Sequence, residues 1–301
     1  MAAKANGMSA PAKGPIQTID SPGGSMRSSI EIFNIRTRQM RVVWQTPELF
    51  EAPNWSPDGK YLLLNSEGLL YCLSPSGDSA PEKVDTGFAT LCNNDHGISP
   101  DGSLYAISDK VEFGKSAIYL LPSTGGTPKL MTKNLPSYWH GWAPDGKSFA
   151  YCGIRDQVFD IYSMDIESGV ETRLTHGEGR NDGPDYSPDG AWVYFNSSRT
   201  GLMQIWRVRV DGSAVERITD SSYGDWFPHP SPKGDKVVFV SYGGDVFDHP
   251  RDLDVRVRLM DMDGGNVETL FELFGGQGTM NSPNWSPDGD EFAYVRYFPV
   301  E

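Results

Sequence analysis

Ser56-Pro57-Asp58-Gly59 is the phrase on which this sequence turns, and it returns five times. The copies are Ser99-Pro100-Asp101-Gly102, Ala143-Pro144-Asp145-Gly146, Ser187-Pro188-Asp189-Gly190, Ser231-Pro232-Lys233-Gly234 and Ser286-Pro287-Asp288-Gly289. Their prolines stand 43, 44, 44, 44 and 55 residues apart. Proline presets φ for the first corner of a turn, aspartate bonds its own backbone two residues on, and glycine accepts positive φ. Each copy therefore predicts a tight hairpin turn. Repeats of about 40 to 45 residues built from short alternating strands mark β-propeller blades, each a four-stranded sheet.

The surroundings of each turn repeat the same grammar. An aromatic or apolar residue stands two before the proline at Trp55, Ile98, Trp142, Tyr186 and Trp285, with Pro230 as the exception. Alternating runs follow, such as Tyr61-Leu62-Leu63-Leu64 and Trp192-Val193-Tyr194-Phe195, then a third run such as Ile161-Tyr162-Ser163-Met164. A glycine turn such as Ser168-Gly169 or Asp211-Gly212 leads to a short fourth run. Period-2 patterning between turn residues predicts antiparallel strands.

After the last turn the sequence has room for a single strand, Glu291 to Arg296. The missing pair is expected at the other end, in Ile30–Ile35 and Met40–Trp44. The expected fold is all-β: a six-bladed propeller of four-stranded antiparallel blades, its ring closed by N-terminal strands that complete the last blade. Such closure removes exposed sheet edges. One propeller domain, residues 29–301, follows an expected flexible tail, residues 1–28, rich in Ala, Gly, Pro, Ser and Lys.

The 301 residues carry 26 Lys and Arg against 40 Asp and Glu, a net charge of −14, which argues against a nucleic-acid partner. No apolar run is long enough for a membrane span and no secretory leader is visible, so no membrane partner is expected. Three widely spaced cysteines, Cys72, Cys92 and Cys152, form no disulfide framework. A cytoplasmic location is the expectation, or a periplasmic one if a leader has been removed.

Pro53-Asn54-Trp55-Ser56-Pro57-Asp58-Gly59 and Pro283-Asn284-Trp285-Ser286-Pro287-Asp288-Gly289 give the repeat in its fullest form. This wording resembles the TolB-like propeller repeats, and the resemblance covers all six blades. It implies the architecture more sharply than the activity, because the repeat serves unrelated functions. Among its relatives, TolB itself is periplasmic, has an extra α/β domain and binds a lipoprotein partner. Oligogalacturonate lyases use similar repeats and hold a metal with histidines at the mouth of a seven-bladed propeller. Prolyl oligopeptidase-type enzymes add a hydrolase domain, but no Gly-x-Ser-x-Gly elbow occurs here.

In a propeller the first strand of each blade is innermost and enters from the top, so the Ser-Pro-Asp-Gly turns lie at the bottom. The top departs from the formula. His96 and His140 replace, in blades two and three, the proline found at Pro53, Pro184, Pro228 and Pro283. Two imidazoles at one register can act as acid and base near neutral pH or hold a divalent metal ion. Two residues earlier in register stand Glu51, Asn94, Tyr138, Asp182, Trp226 and Asn281, with Asp95, Asn181 and Asp225 beside them. The catalytic candidates are His96, His140, Glu51, Asp95 and Asp182. The ligand-binding candidates are Asn94, Tyr138, Asn181, Asp225, Trp226, His229, His249, Asn281 and Arg155. As readings that ask nothing of function, a histidine can simply bond within its blade, and Asp and Asn cap turns at strand entrances.

His249 lies in the one long insertion, Gly243 to Leu253, which accounts for the 55-residue spacing and is expected to cover the mouth. Two functions stay open. One is an enzyme or binder, of lyase or hydrolase type, acting on a small polar, carbohydrate-derived ligand at the channel mouth. The other is an interaction propeller that holds a peptide or partner protein there.

Overall fold

The computed structural model describes residues 27–299, so most of the expected tail lies outside the described residues. β1 (Ser28–Asn34) and β2 (Met40–Thr46) come first. Blade one follows with β3 (Glu51–Trp55), β4 (Leu62–Ser66), β5 (Leu69–Leu73) and β6 (Glu82–Lys83). Blade two is β7 (Cys92–Ile98), β8 (Leu104–Asp109), β9 (Ala117–Pro122) and β10 (Lys129–Leu130). Blade three is β11 (Ser137–Trp142), β12 (Ser148–Arg155), β13 (Val158–Asp165) and β14 (Glu171–Arg173). Blade four is β15 (Asn181–Tyr186), β16 (Trp192–Ser197), β17 (Gln204–Arg209) and β18 (Val215–Arg217). Blade five is β19 (Gly224–Pro230), β20 (Lys236–Tyr242), β21 (Arg251–Asp261) and β22 (Glu268–Gly276), and β23 (Glu291–Tyr297) ends the series.

Each blade is an antiparallel meander. The six form the propeller expected from the repeat, without helices among the described residues. The last blade runs β2-β1-β23, and its inner edge is the single bridge between Trp285 and Phe292. β1 pairs with β23 along its whole length, from Ser28 opposite Tyr297 to Asn34 opposite Glu291. Glu31 is buried in this seam, bonded by Arg296 Nε at 3.0 Å and by the Tyr294 hydroxyl at 2.6 Å. The strand begins at Ser28, one residue ahead of the expected boundary, and Arg27 pairs with Asp252 at 2.6 Å.

The core is divided. Six apolar clusters fill the six gaps between neighbouring blades, as alternation on two-sided sheets demands. Blade five differs from the sequence expectation. The extra residues are shared between the loop 243–250 and a longer outer hairpin, whose pairing runs out to Arg251 opposite Gly276.

Inner strands β3, β7, β11, β15 and β19 all break register near the same level, around residues 51–54, 92–96, 139–141, 182–185 and 226–229. Bulges of this kind bend a strand and re-aim its side chains. At the break Ala52, Gly183 and Phe227 take φ of 52°, 56° and 52°, a conformation unusual for the two non-glycines. Side chains of the preceding blade meet the freed amides of the broken ladder: Phe227 N donates to Asn196 Oδ1 at 3.1 Å and Trp139 N to Ser108 Oγ at 2.8 Å.

Candidate functional site

The bulges turn the strand entrances toward the propeller axis, where they enclose a cavity of about 310 Å³ at the top mouth. Its polar wall includes Asp95, Tyr138, His140, Arg180, Asp182 and Asn281, and the loop 243–250 contributes Asp248 and His249. Amides link the blades across the axis: Asn281 Nδ2 reaches Asn94 Oδ1 at 3.5 Å, and Asn94 Nδ2 reaches Glu51 Oε1 at 3.4 Å.

A charge network holds the wall. His140 Nε2 faces Asp182 Oδ1 at 3.4 Å. Arg180 bridges Asp182 at 3.3 Å and Asp248 at 2.9 Å, and Asp248 also pairs with His249. His249 stacks on Trp226 with ring centroids 4.4 Å apart, and the Arg180 guanidinium lies 4.6 Å from the Phe159 ring. Burial alone would raise Asp182, but the His140 hydrogen bond and charge together with Arg180 hold its carboxyl well below the usual range. Burial likewise opposes the His140 imidazolium, yet the charges of Asp95 and Asp182 outweigh it and raise its proton affinity.

Of the residues expected from sequence, Asp95, Tyr138, His140, Asp182, His249 and Asn281 line the cavity. The structure does not bring His96 and His140 into one site. His96 is fully buried, its Nε2 faces the Leu63 carbonyl at 3.3 Å, and burial lowers its pKa to about 4. His140 faces Asp182 instead, so the two rings expected to share a metal ion have different partners, and among the described residues no group of three or more His, Cys, Asp and Glu is arranged to hold one. Glu51 and Asn94 are bonded to each other outside the lining, and Trp226 stacks on His249.

The other candidates are built into the blades. His229 joins Asp185 at 3.0 Å to the Met280 carbonyl at 2.9 Å. Asn181 bonds Asp160 at 3.0 Å, and Asp225 is held by Ser241 and Arg258. Arg155 donates to Pro136 O and faces Glu171. Sequence reasoning passed over Asn93, Arg180, Phe227 and Gln277, which also line the mouth. Arg180 stood two residues before a named candidate, and its partner Asp248 belongs to the next blade. Only the fold joins them.

A second concavity, an open groove of about 490 Å³, begins where the first ends, because Asn93 and Tyr138 line both. It runs out over blade two between Gly68, Leu91, Lys110, Lys115 and Pro136. Phe88, Leu91, Val111 and Phe113 are exposed in the loops of this region, and Phe247 projects from the loop 243–250 with 90% of its surface free. Mouth and groove together form a trough, whose outer part is lined by Leu91 and Pro136 together with Glu67, Lys110 and Lys115.

A six-bladed propeller with a polar mouth is thus the class of protein that fold and site define. The TolB beta propeller domain family (PD40) matches residues 99–254, and the chain belongs to that family. An uncharacterized protein of Agrobacterium fabrum is 92% identical over 280 residues, which is 93% of this chain and 96% of that one. The Tol-Pal system protein TolB of Francisella tularensis is 28% identical over 260 residues, 82% of this chain and 56% of its own length. The chain therefore spans just over half of that relative. A solved structure described as a putative TolB from Agrobacterium tumefaciens superposes with a TM-score of 0.91 at 92% identity, over 92% of this chain and 100% of that one. An oligogalacturonate lyase in complex with manganese, at 12% identity and a TM-score of 0.53 over 83% of this chain and 90% of that one, shares the fold alone. No helix among the described residues is long and apolar enough to cross a membrane.

Proposed function

We propose that the chain is a binding propeller that seats an extended segment of a partner protein in the trough, with a polar group in the mouth and apolar side chains over blade two. The observation that carries this is the continuity of the two concavities through Asn93 and Tyr138. A cavity of about 310 Å³ is small for a free-standing ligand site. Extended by the groove and its apolar rim, it fits a strip of several residues. Exposed apolar side chains gathered at one place mark interaction surfaces. The family likeness to a Tol-Pal system protein agrees with an interaction role.

The test is selection of displayed random dodecapeptides on the intact chain. Selected peptides are expected to lose at least tenfold in affinity with Tyr138→Ala and with Leu91→Asp, while Val170→Asp leaves binding unchanged. Binders indifferent to Tyr138→Ala would overturn the reading.

A second reading is acid–base chemistry on a small carbohydrate-derived molecule, by a lyase or hydrolase. It is favoured by His140, a proton-holding imidazole acted on by both Asp95 and Asp182 at a cavity wall. It calls for turnover of an oligosaccharide panel that disappears in His140→Gln. The compartment belongs to the same proposal. Free Cys72, Cys92 and Cys152 suit a reducing cytoplasm, whereas the TolB likeness favours the periplasm, and cell fractionation decides between them.

A further inference from the structure

The mouth is unevenly balanced in charge. Arg180 divides its guanidinium between Asp182 and Asp248, His140 faces Asp182, and His249 pairs with Asp248. Each of these basic groups makes its direct contact with one of two carboxylates. The third, Asp95, is buried and lines the same cavity, yet no Lys, Arg or His among the described residues lies within 4.0 Å of its oxygens. Its side-chain partner is an amide: Asn93 Nδ2 donates to Asp95 Oδ2 at 2.5 Å. A carboxylate removed from water without a directly bonded counter-ion is costly, and burial pushes Asp95 up from its ordinary value although the nearby His140 charge acts the other way.

Two further groups of the wall lack partners. His140 Nδ1 is buried with no hydrogen bond. The Tyr138 hydroxyl makes no hydrogen bond with the described residues, and the ring belongs to both mouth and groove.

We infer that the mouth binds a primary ammonium group with Asp95 as its counter-ion. Its source is a lysine side chain or the amino terminus of the bound segment. An ammonium is a compact charge with three donors to place. Asp95, the Tyr138 oxygen and the amide oxygens of Asn93 or Asn281 are acceptors of the right kind on one wall. A guanidinium would want a planar fork of two acceptors, and Asp182 and Asp248 already serve Arg180 in that way. The net charge of −14 favours the approach of a cation over long range. That the ammonium is carried by a peptide rests on the proposed trough; that the mouth takes an ammonium does not.

The test uses the intact chain with ¹³C-labelled histidine and tyrosine, titrated with n-butylammonium, butyrate and 1-butanol. Saturable shifts of the His140 and Tyr138 ring signals are expected with n-butylammonium alone. Asp95→Asn should weaken binding at least tenfold, and Asp145→Asn, a change in a bottom turn, should leave it within twofold. An equal response to butyrate or 1-butanol overturns the inference, and so does undiminished binding in Asp95→Asn. The comparison of probes on the unmodified chain stands even if the variant folds poorly. With a trough-binding lysine peptide, Nε-acetylation and Nα-acetylation distinguish the side chain from the terminus, and loss with neither overturns the inference while leaving the trough intact. Binding of n-butylammonium but of no peptide overturns the trough and leaves the ammonium site.

Discussion

The two ends of the propeller are made of the same strands and obey different rules. At the bottom four of the six turns satisfy themselves in one way. Ser99 Oγ donates to Asp101 Oδ1 at 2.6 Å and accepts from Leu104 N at 2.9 Å, and the same bonds recur at Ser56, Ser187 and Ser286. Lys60 and then Ser56 lower Asp58, and Ser99 and then Ser103 lower Asp101, to about 2 although both carboxylates are exposed. At the top no two blades are alike, and the charges find partners on neighbouring blades, as Arg180 of blade four does with Asp248 of blade five. Local bonds can be copied from blade to blade, whereas a site on the axis needs each blade to contribute something different.

The largest effect is expected where neither rule helps, at the seam. Removing residues 1–46 strips β23 of its seven-residue partner and uncovers Leu62, Leu64, Ala293 and Val295, which are buried in one cluster with Ile30, Ile32 and Val43. Glu31 also leaves Arg296 unpaired in the interior. The shortened chain should be insoluble or lack cooperative melting. A soluble form melting within a few degrees of the intact chain would refute closure as the condition of folding.

His96 and His140 occupy the same register in adjacent blades, and their pH effects should have opposite signs. His96 falls from 6.5 to about 4 because burial penalises its charge. Its neutral form therefore stabilises the fold above pH 6.5, and that contribution is lost as the pH falls toward 4, by about 3 kcal/mol. His140 is raised by Asp95 and Asp182, so its contribution is fully present below 6.5 and is lost as the pH rises through the folded value. Denaturation at several pH values should show the stability gap between the intact chain and His96→Gln shrinking from pH 7 to pH 4. The gap for His140→Gln should widen from pH 8 to pH 6. Equal slopes would remove the distinction between a packed and a site histidine.

Those two histidines also mark the limit of what was legible in the sequence. The six blades, their strands and the seam could be read because turn chemistry and alternation are local and repeat. That His140 reaches a cavity while His96 faces the Leu63 carbonyl depends on the bulge at each inner strand, and no residue pattern announced those bulges. The loop 243–250 could be recognised as unusual by length alone. Its junction to Arg180, 68 positions earlier in the chain, could not, because any exposed carboxylate would have read the same way.

Glycines divide along the same line. Gly102, in a bottom turn, has φ of +74° and open space where a Cβ would point, so it serves conformation. Gly97, beside His96, has an ordinary φ, but a Cβ there would lie 2.0 Å from the indole of fully buried Trp139. Gly97→Ala should cost about 1–3 kcal/mol through overpacking, and Trp139→Phe in the same chain should recover part of it by clearing the clash. Absence of recovery would mean that the backbone, not the indole, rejects the methyl group.

The smallest effect tests whether the bottom rule is as transferable as its repetition implies. Blade three has Ala143 where four other blades bond a serine to the turn aspartate, and its Asp145 accepts only from Lys147 N, at 3.0 Å, among the described residues. Ala143→Ser should supply the two missing bonds, from the new hydroxyl to Asp145 and from Ser148 N to that hydroxyl. Ala143 N already accepts the same backbone arrangement as its counterparts, donating to Ser148 O at 2.9 Å as Ser99 N does to Leu104 O, so no chain movement is needed. One side of the new hydroxyl would face the buried cluster that contains Tyr186 and Ile161, which limits the gain to about 0.5–1 kcal/mol. A domain of this size should then melt about 1–3 °C higher. A lower melting temperature would mean that apolar packing between blades three and four outweighs the turn, and that the repeat departs from its formula at the bottom for the same reason as at the top, because the neighbouring blade requires it.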